Sequence, residues 1–114
     1  MKTLVLSVNK INDISPLSNL TQLIRLDVGD NNISDISSLS NLTQLADLNL
    51  EANKVSDISP LSTLTQLTKL KLGANEIRDI GALFALTQLT VLDLRYNPIE
   101  QKICPLANQS ICEF

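Results

Sequence analysis

Aliphatic positions return along the chain with a fixed step. In the stretch Leu23-x-x-Leu26-x-Val28-x-x-Asn31-x-Ile33-x-x-Ile36-x-x-Leu39-x-x-Leu42, the units starting at Leu45 and Leu67 keep every named position aliphatic or Asn. Thr-Gln-Leu closes at Leu23, Leu45, Leu67 and Leu89, and Asn9, Asn31, Asn53, Asn75 and Asn97 keep the same 22-residue spacing. The unit starting at Met1 departs only in that first residue. The unit starting at Leu89 follows as far as Asn97 and Ile99 and then leaves the pattern. Self-similarity at a period of this size is the mark of a repeat architecture rather than of a conventional globular core.

The spacing within a unit predicts its shape. Leu26 and Val28 alternate with polar neighbours, the period of a short strand with one buried face. After the Asn the period lengthens to three, through Ile33, Ile36, Leu39 and Leu42. Three-residue spacing suits a 3-10-like or extended return arm with one side turned inward. A single coil of this kind cannot bury its aliphatic face, so it must stack on its neighbours into a curved solenoid with a parallel sheet. The segments Asn9-x-Ile11-x-Asp13-Ile14-Ser15-Pro16-Leu17, 31–39 and 53–61 resemble leucine-rich repeats of the 22-residue bacterial internalin and phosphatase-regulator class. The resemblance covers residues 1 to about 99, five units starting at 1, 23, 45, 67 and 89, with 100–114 left as a C-terminal cap. It implies an α/β solenoid, a horseshoe with its sheet on the concave face and 3-10 or irregular arms on the convex face. It also implies a protein-interaction module working through the concave face.

Two polar columns accompany the repeat. An Asn between strand and arm is expected to turn inward and satisfy backbone groups left unpaired by the bend. Asn97, in the last unit, is expected to complete its contacts from the C-terminal tail. Asp13, Asp35, Asp57 and Asp79 form stacked carboxylates, but one carboxylate per coil is too sparse for a hard cation, and short Asp side chains commonly hold turns. Ser15-Pro16 and Ser59-Pro60 predict a helical turn with Ser as the cap and Pro first. Gly81-Ala82 lacks both features, which makes the fourth arm the odd one.

Residues flanking the buried strand positions face the concave side. Their columns are Thr3, Arg25, Asp47, Lys69, Val91; Val5, Asp27, Asn49, Lys71, Asp93; Ser7, Gly29, Glu51, Gly73, Arg95; and Val8, Asp30, Ala52, Ala74, Tyr96. Strands lie about 4.8 Å apart, so Arg25, Asp47 and Lys69 can pair across the sheet, as can Lys71 with Asp93. The candidate partner-binding residues are therefore Arg25, Asp27, Asp47, Asn49, Glu51, Lys69, Lys71, Asp93, Arg95 and Tyr96. Arg95-Tyr96 is the first place to look for a hot spot, given the bias of hot spots toward Arg and Tyr. The alternative is a self-neutralising ladder that only keeps the sheet soluble, on a structural or spacer segment of a larger surface or secreted protein.

Composition narrows the chemistry. Nine Lys+Arg against twelve Asp+Glu give a formal charge of −3, which disfavours nucleic acid and polybasic membrane binding. Without any His, neither a Ser-His-Asp nor a Cys-His site can form, and no other nucleophile, base or metal cluster converges, so no enzyme and no cofactor are expected. No apolar run approaches the roughly 20 residues of a spanning helix, and no signal peptide precedes the first alternating pattern.

The tail carries the only cysteines, Cys104 and Cys112. Their spacing is not Cys-x-x-Cys, and nothing else completes a zinc site. A structural disulfide is the expectation and buried free thiols the alternative. The tail is also similar to closing segments of small bacterial leucine-rich-repeat proteins. A disulfide would indicate a secreted or cell-surface protein, and free thiols a cytoplasmic one. Phe84, where earlier units have Ser, is expected to contact the cap. At the other end Met1 sits in the first repeat position, leaving an open strand edge. Either the chain is cut from a longer protein, or the first coil frays or pairs weakly with another molecule.

Overall fold

The protein is described here, over residues 1–114, by a computed structural model. Six short strands form one parallel sheet in sequence order: β1 Thr3–Val5, β2 Arg25–Asp27, β3 Asp47–Asn49, β4 Lys69–Lys71, β5 Val91–Asp93 and β6 Cys112–Glu113. From β1 to β5 the register advances by one repeat, so Leu4, Leu26, Leu48, Leu70 and Leu92 lie side by side. Opposite the sheet run the 3-10 arms η1 Ser15–Asn19, η2 Ser37–Asn41, η3 Ser59–Thr63 and η4 Gly81–Ala85. Strands pack at the hydrogen-bonding distance of about 4.8 Å, while the bulkier arms cannot, so the stack curves with the sheet inside.

The three-residue period has a direct cause. In the second coil the bonds Leu39 N to Ile36 O (3.0 Å), Leu42 N to Leu39 O (2.9 Å) and Leu45 N to Leu42 O (3.1 Å) chain the aliphatic positions to one another. Three residues per turn returns each of them to the inner face. Equivalent bonds run through Ile14, Leu17, Leu20 and Leu23, and through Ile80, Leu83, Leu86 and Leu89. Gly81-Ala82, without Ser or Pro, leaves the arm backbone like the other three. One correction concerns the caps. Ile14, Ile36 and Ile58 occupy the N-cap positions, and no Ser side chain caps any of these arms. The Asp one residue earlier does the work instead: Asp13, Asp35 and Asp57 each accept at Oδ1 from the backbone N–H of Ser15, Ser37 and Ser59 at 2.9 Å, and Asp79 from Gly81 at 2.8 Å. Those backbone donors hold the carboxyls of Asp13, Asp35 and Asp57 below their ordinary value.

Between sheet and arms lies one continuous cluster of 29 buried residues, aliphatic throughout except for Cys104. A single cluster running from Ile14 to Leu106 means that no coil owns a core of its own. The Asn column closes its edge. Asn53 donates from Nδ2 to Val28 O (3.1 Å), Leu50 O (3.0 Å) and Glu51 O (3.2 Å), while its Oδ1 accepts from Ile33 N (3.0 Å). Asn31, Asn53 and Asn75 each tie their own bend to the preceding coil in this way. Asn97 does the same with Leu72 O (2.9 Å) and Ile77 N (3.0 Å), so its contacts come from the fourth coil and not from the tail. The residue before each Asn takes a left-handed backbone: Val8, Asp30, Ala52, Ala74 and Tyr96 have φ between 54° and 63°. Since all five coils share it, the conformation belongs to the bend.

Candidate functional site

One surface of the sheet is buried and the other is open. Within β2 to β5 the central Leu is buried while its flanking residues reach solvent to varying degrees. The concave columns are therefore as the alternation predicts, with two departures. Gly29 and Gly73 are buried, and an added Cβ would meet Asp27 Oδ1 and Arg95 O respectively at 3.3 Å, so space in this column is tight in alternate coils. Asp93 is only 8% exposed, against partly buried Asp27 and Asn49 in the same column.

The predicted ion pairs form only in part. Arg25 Nε lies 3.8 Å from Asp47 Oδ2, and Lys69 has no carboxylate within ion-pair distance. Lys71 stands in register with Asp93, yet Asp93 is taken by Arg95. The guanidinium of Arg95 grips it at both oxygens, Nε to Oδ1 at 3.1 Å and Nη2 to Oδ2 at 2.9 Å, and the Arg95 N–H adds a third bond at 3.0 Å. This hydrogen bonding, against the opposing effect of burial and helped by the charges of Arg95 and Lys71, holds the Asp93 carboxyl below the usual range. Arg95 Nε also approaches Glu113 Oε2 at 3.4 Å, and the two carboxylates push its pKa up. Arg95 thus ties the end of β5 to β6 through two carboxylates, with its side chain still 49% exposed.

Tyr96, its neighbour, is 81% exposed. With Leu94, Ile99, Lys102 and Phe114 it borders a notch of about 300 Å³ at the junction with the C-terminal segment. Three residues of this region, Lys102, Glu113 and Phe114, lie beyond the periodic stretch, so the repeat gives no sign of them. The signal that could have found Glu113 is Ile111-Cys112-Glu113, an apolar pair followed by an acid that imitates a strand. In the structure β6 continues the sheet, with Cys112 beside Leu92 and Glu113 beside Asp93, and Leu94 N donates to Glu113 O at 2.7 Å. Its register is 20 residues on from β5 instead of 22, which hid it from the period. Cys104 and Cys112 form a disulfide with a Cα separation of 5.7 Å. Cys104 and Leu106 join the core cluster, and Ile111 and Cys112 pack against it. Phe84 lines a shallow groove with Ile103, so it does stand beside the tail, but 58% of it remains exposed.

The four Asp of the turn column each bond within their own turn, and no group of three or more His, Cys, Asp or Glu is arranged to hold a metal ion. No helix is long and apolar enough to cross a membrane.

A family model described as leucine-rich repeats matches residues 1–41, 21–63 and 65–108. No curated protein sequence matches the chain. Among solved structures, an internalin (InlF) of Listeria monocytogenes is similar over 100% of this chain at 43% identity and a TM-score of 0.92. Internalin C2 of the same organism is similar over 98% at 39% identity and 0.91. A leucine-rich-repeat protein of Leptospira interrogans matches 87% at 28% identity and 0.79. The chain spans 35% and 49% of the two internalin chains and 26% of the third.

Proposed function

Because the chain belongs to the leucine-rich repeat family, in its internalin-like form, we propose that it is a non-enzymatic module that binds another protein on the concave face of its sheet. The observation that carries this reading is the asymmetry of the sheet. One surface is fully committed to the core, while the other presents charged residues of β2 to β4 and an almost fully exposed tyrosine. Exposed aromatic and charged groups on a rigid scaffold are what protein interfaces use, whereas a surface needed only for solubility has no use for Tyr96. Residues 100–114 serve as the cap of the module. The disulfide supports an exported, oxidising location.

The reading is tested by immobilising three forms and passing a mixture of extracellular proteins over each. The variant Asp47→Ala/Lys71→Ala/Tyr96→Ala alters the concave face, and Ser62→Ala/Arg78→Ala alters the arm side. Proteins held by the native chain and by the arm-side variant should be lost from the concave-face variant. Equal retention by all three would place recognition elsewhere.

A further inference from the structure

The concave charges balance in number but not in position. Asp27, Asp30 and Glu51, on and just after β2 and β3, have no cation within ion-pair distance, while their neighbour Asp47 engages Arg25. Lys69 and Lys71 of β4, with Lys102 at the notch beside Tyr96, have no carboxylate within that distance: the register neighbour Asp47 of Lys69 engages Arg25, and the register neighbour Asp93 of Lys71 is held by Arg95. The unpaired anions therefore sit toward the first half of the sheet and the unpaired cations toward the C-terminal segment. The two groups lie one to two strand spacings apart, about 5 to 10 Å. Glu76, which would blur this division, instead lines a groove of the return arms with Asp57, Arg78 and Asp79. Beyond the cations the face ends in the aromatic notch.

We infer that the concave face recognises a protein segment of fixed polarity. Its carboxylates lie over Lys69, Lys71 and Lys102, an apolar side chain beside them enters the notch at Tyr96 and Phe114, and its basic residues reach Asp27, Asp30 and Glu51. The inference rests on the concave face being the binding surface and adds the chemistry and direction of what it holds. Unpaired charges select partners by complementarity and by repulsion of the reverse arrangement. Pairs already closed within the ladder contribute little to that choice. Five strand spacings correspond to only about six or seven residues of extended peptide, so a short segment can span the whole pattern.

The test is selection from a random 12-residue peptide display library on the native chain. Enriched peptides should place Asp or Glu next to an apolar residue at one end and Lys or Arg at the other. As synthetic peptides they should lose about tenfold in affinity on Lys69→Glu/Lys71→Glu and on Tyr96→Ala, and should weaken as salt rises from about 50 to about 300 mM. Selection on Lys69→Glu/Lys71→Glu should drop the acidic block. Should that variant melt well below the native chain, Lys71→Ala and the salt series carry the same comparison. Enriched peptides without charge polarity, footprinted on the concave face by hydrogen exchange, would overturn this inference and leave the binding face standing. Peptides footprinted on the arms, or no enrichment at all, would overturn both.

Discussion

Asn75 and Asn9 occupy equivalent repeat positions but hold different numbers of groups in place. Asn75 donates to Leu50 O, Leu72 O and Gly73 O and accepts from Val55 N, nearly all of it buried. Asn9 donates only to Leu6 O and Ser7 O of its own coil, in solvent. Deleting a buried hydrogen-bonding side chain leaves its former partners desolvated and unpaired, at about 1–3 kcal/mol or more. Asn75→Ala should therefore lose about 2–4 kcal/mol in urea denaturation and Asn9→Ala less than about 1 kcal/mol. Similar losses would mean that the inter-coil bonds contribute nothing beyond the local bend. The role of this column was legible from its step and its place between strand and arm. The partners of Asn97 were not, because the period does not say whether each Asn reaches the coil before it or the one after it. Arg95 illustrates the same limit. Its adjacency to Tyr96 was plain in the sequence, but its capture by Asp93 and Glu113 depends on strand register and on a sixth strand outside the period.

The return arms set the acid response of the fold. Asp13, Asp35 and Asp57 accept backbone bonds at the start of η1, η2 and η3, and their carboxyls are held low by those bonds. A depressed folded-state value stabilises the fold above the unfolded value of about 3.9, and that contribution is lost as pH falls through the folded one. The melting temperature should stay level from about pH 7 to 5 and fall below about pH 4, with Asp93 contributing in the same direction. In Asp13→Asn/Asp35→Asn/Asp57→Asn the amide oxygen can still accept the turn bond without titrating, so the decline should be shallower. An equally steep decline would assign the acid limb to other carboxylates. The arms were legible as three-residue periods because the inner face and the i to i+3 bond share one spacing. Their caps were misread, since Ser before Pro suits an N-cap in general while here the Asp side chain reaches the Ser N–H first.

For the whole molecule, the end of the core decides more than any single coil. The last coil has no following repeat to cover it, and the segment carrying Cys104, Leu106, Ile111 and Cys112 packs there. The disulfide closes a loop with a sequence separation of 8 residues, which should contribute about 2–3 kcal/mol by restricting the unfolded chain. Cys104→Ser/Cys112→Ser should lose about that much in urea denaturation, and hydrogen exchange should speed up first at Leu94, whose N–H bonds to Glu113. Unchanged exchange there would show that β6 holds without the bridge. What the sequence determined alone was everything that repeats: coil length, the strand and arm of each coil, the aliphatic core, the Asn and Asp columns and the faces they occupy. These follow from nearest-neighbour stacking, so a period of 22 residues is sufficient information. Tertiary structure alone decided the addition of β6, the clamp on Arg95, the notch beside Tyr96 and the division of unpaired charge along the concave face. The sixth strand, the notch and the Glu113 side of the clamp depend on how one irregular segment meets the last regular coil, a contact that occurs once and leaves no period to read. The rest turns on which neighbour each charge engages.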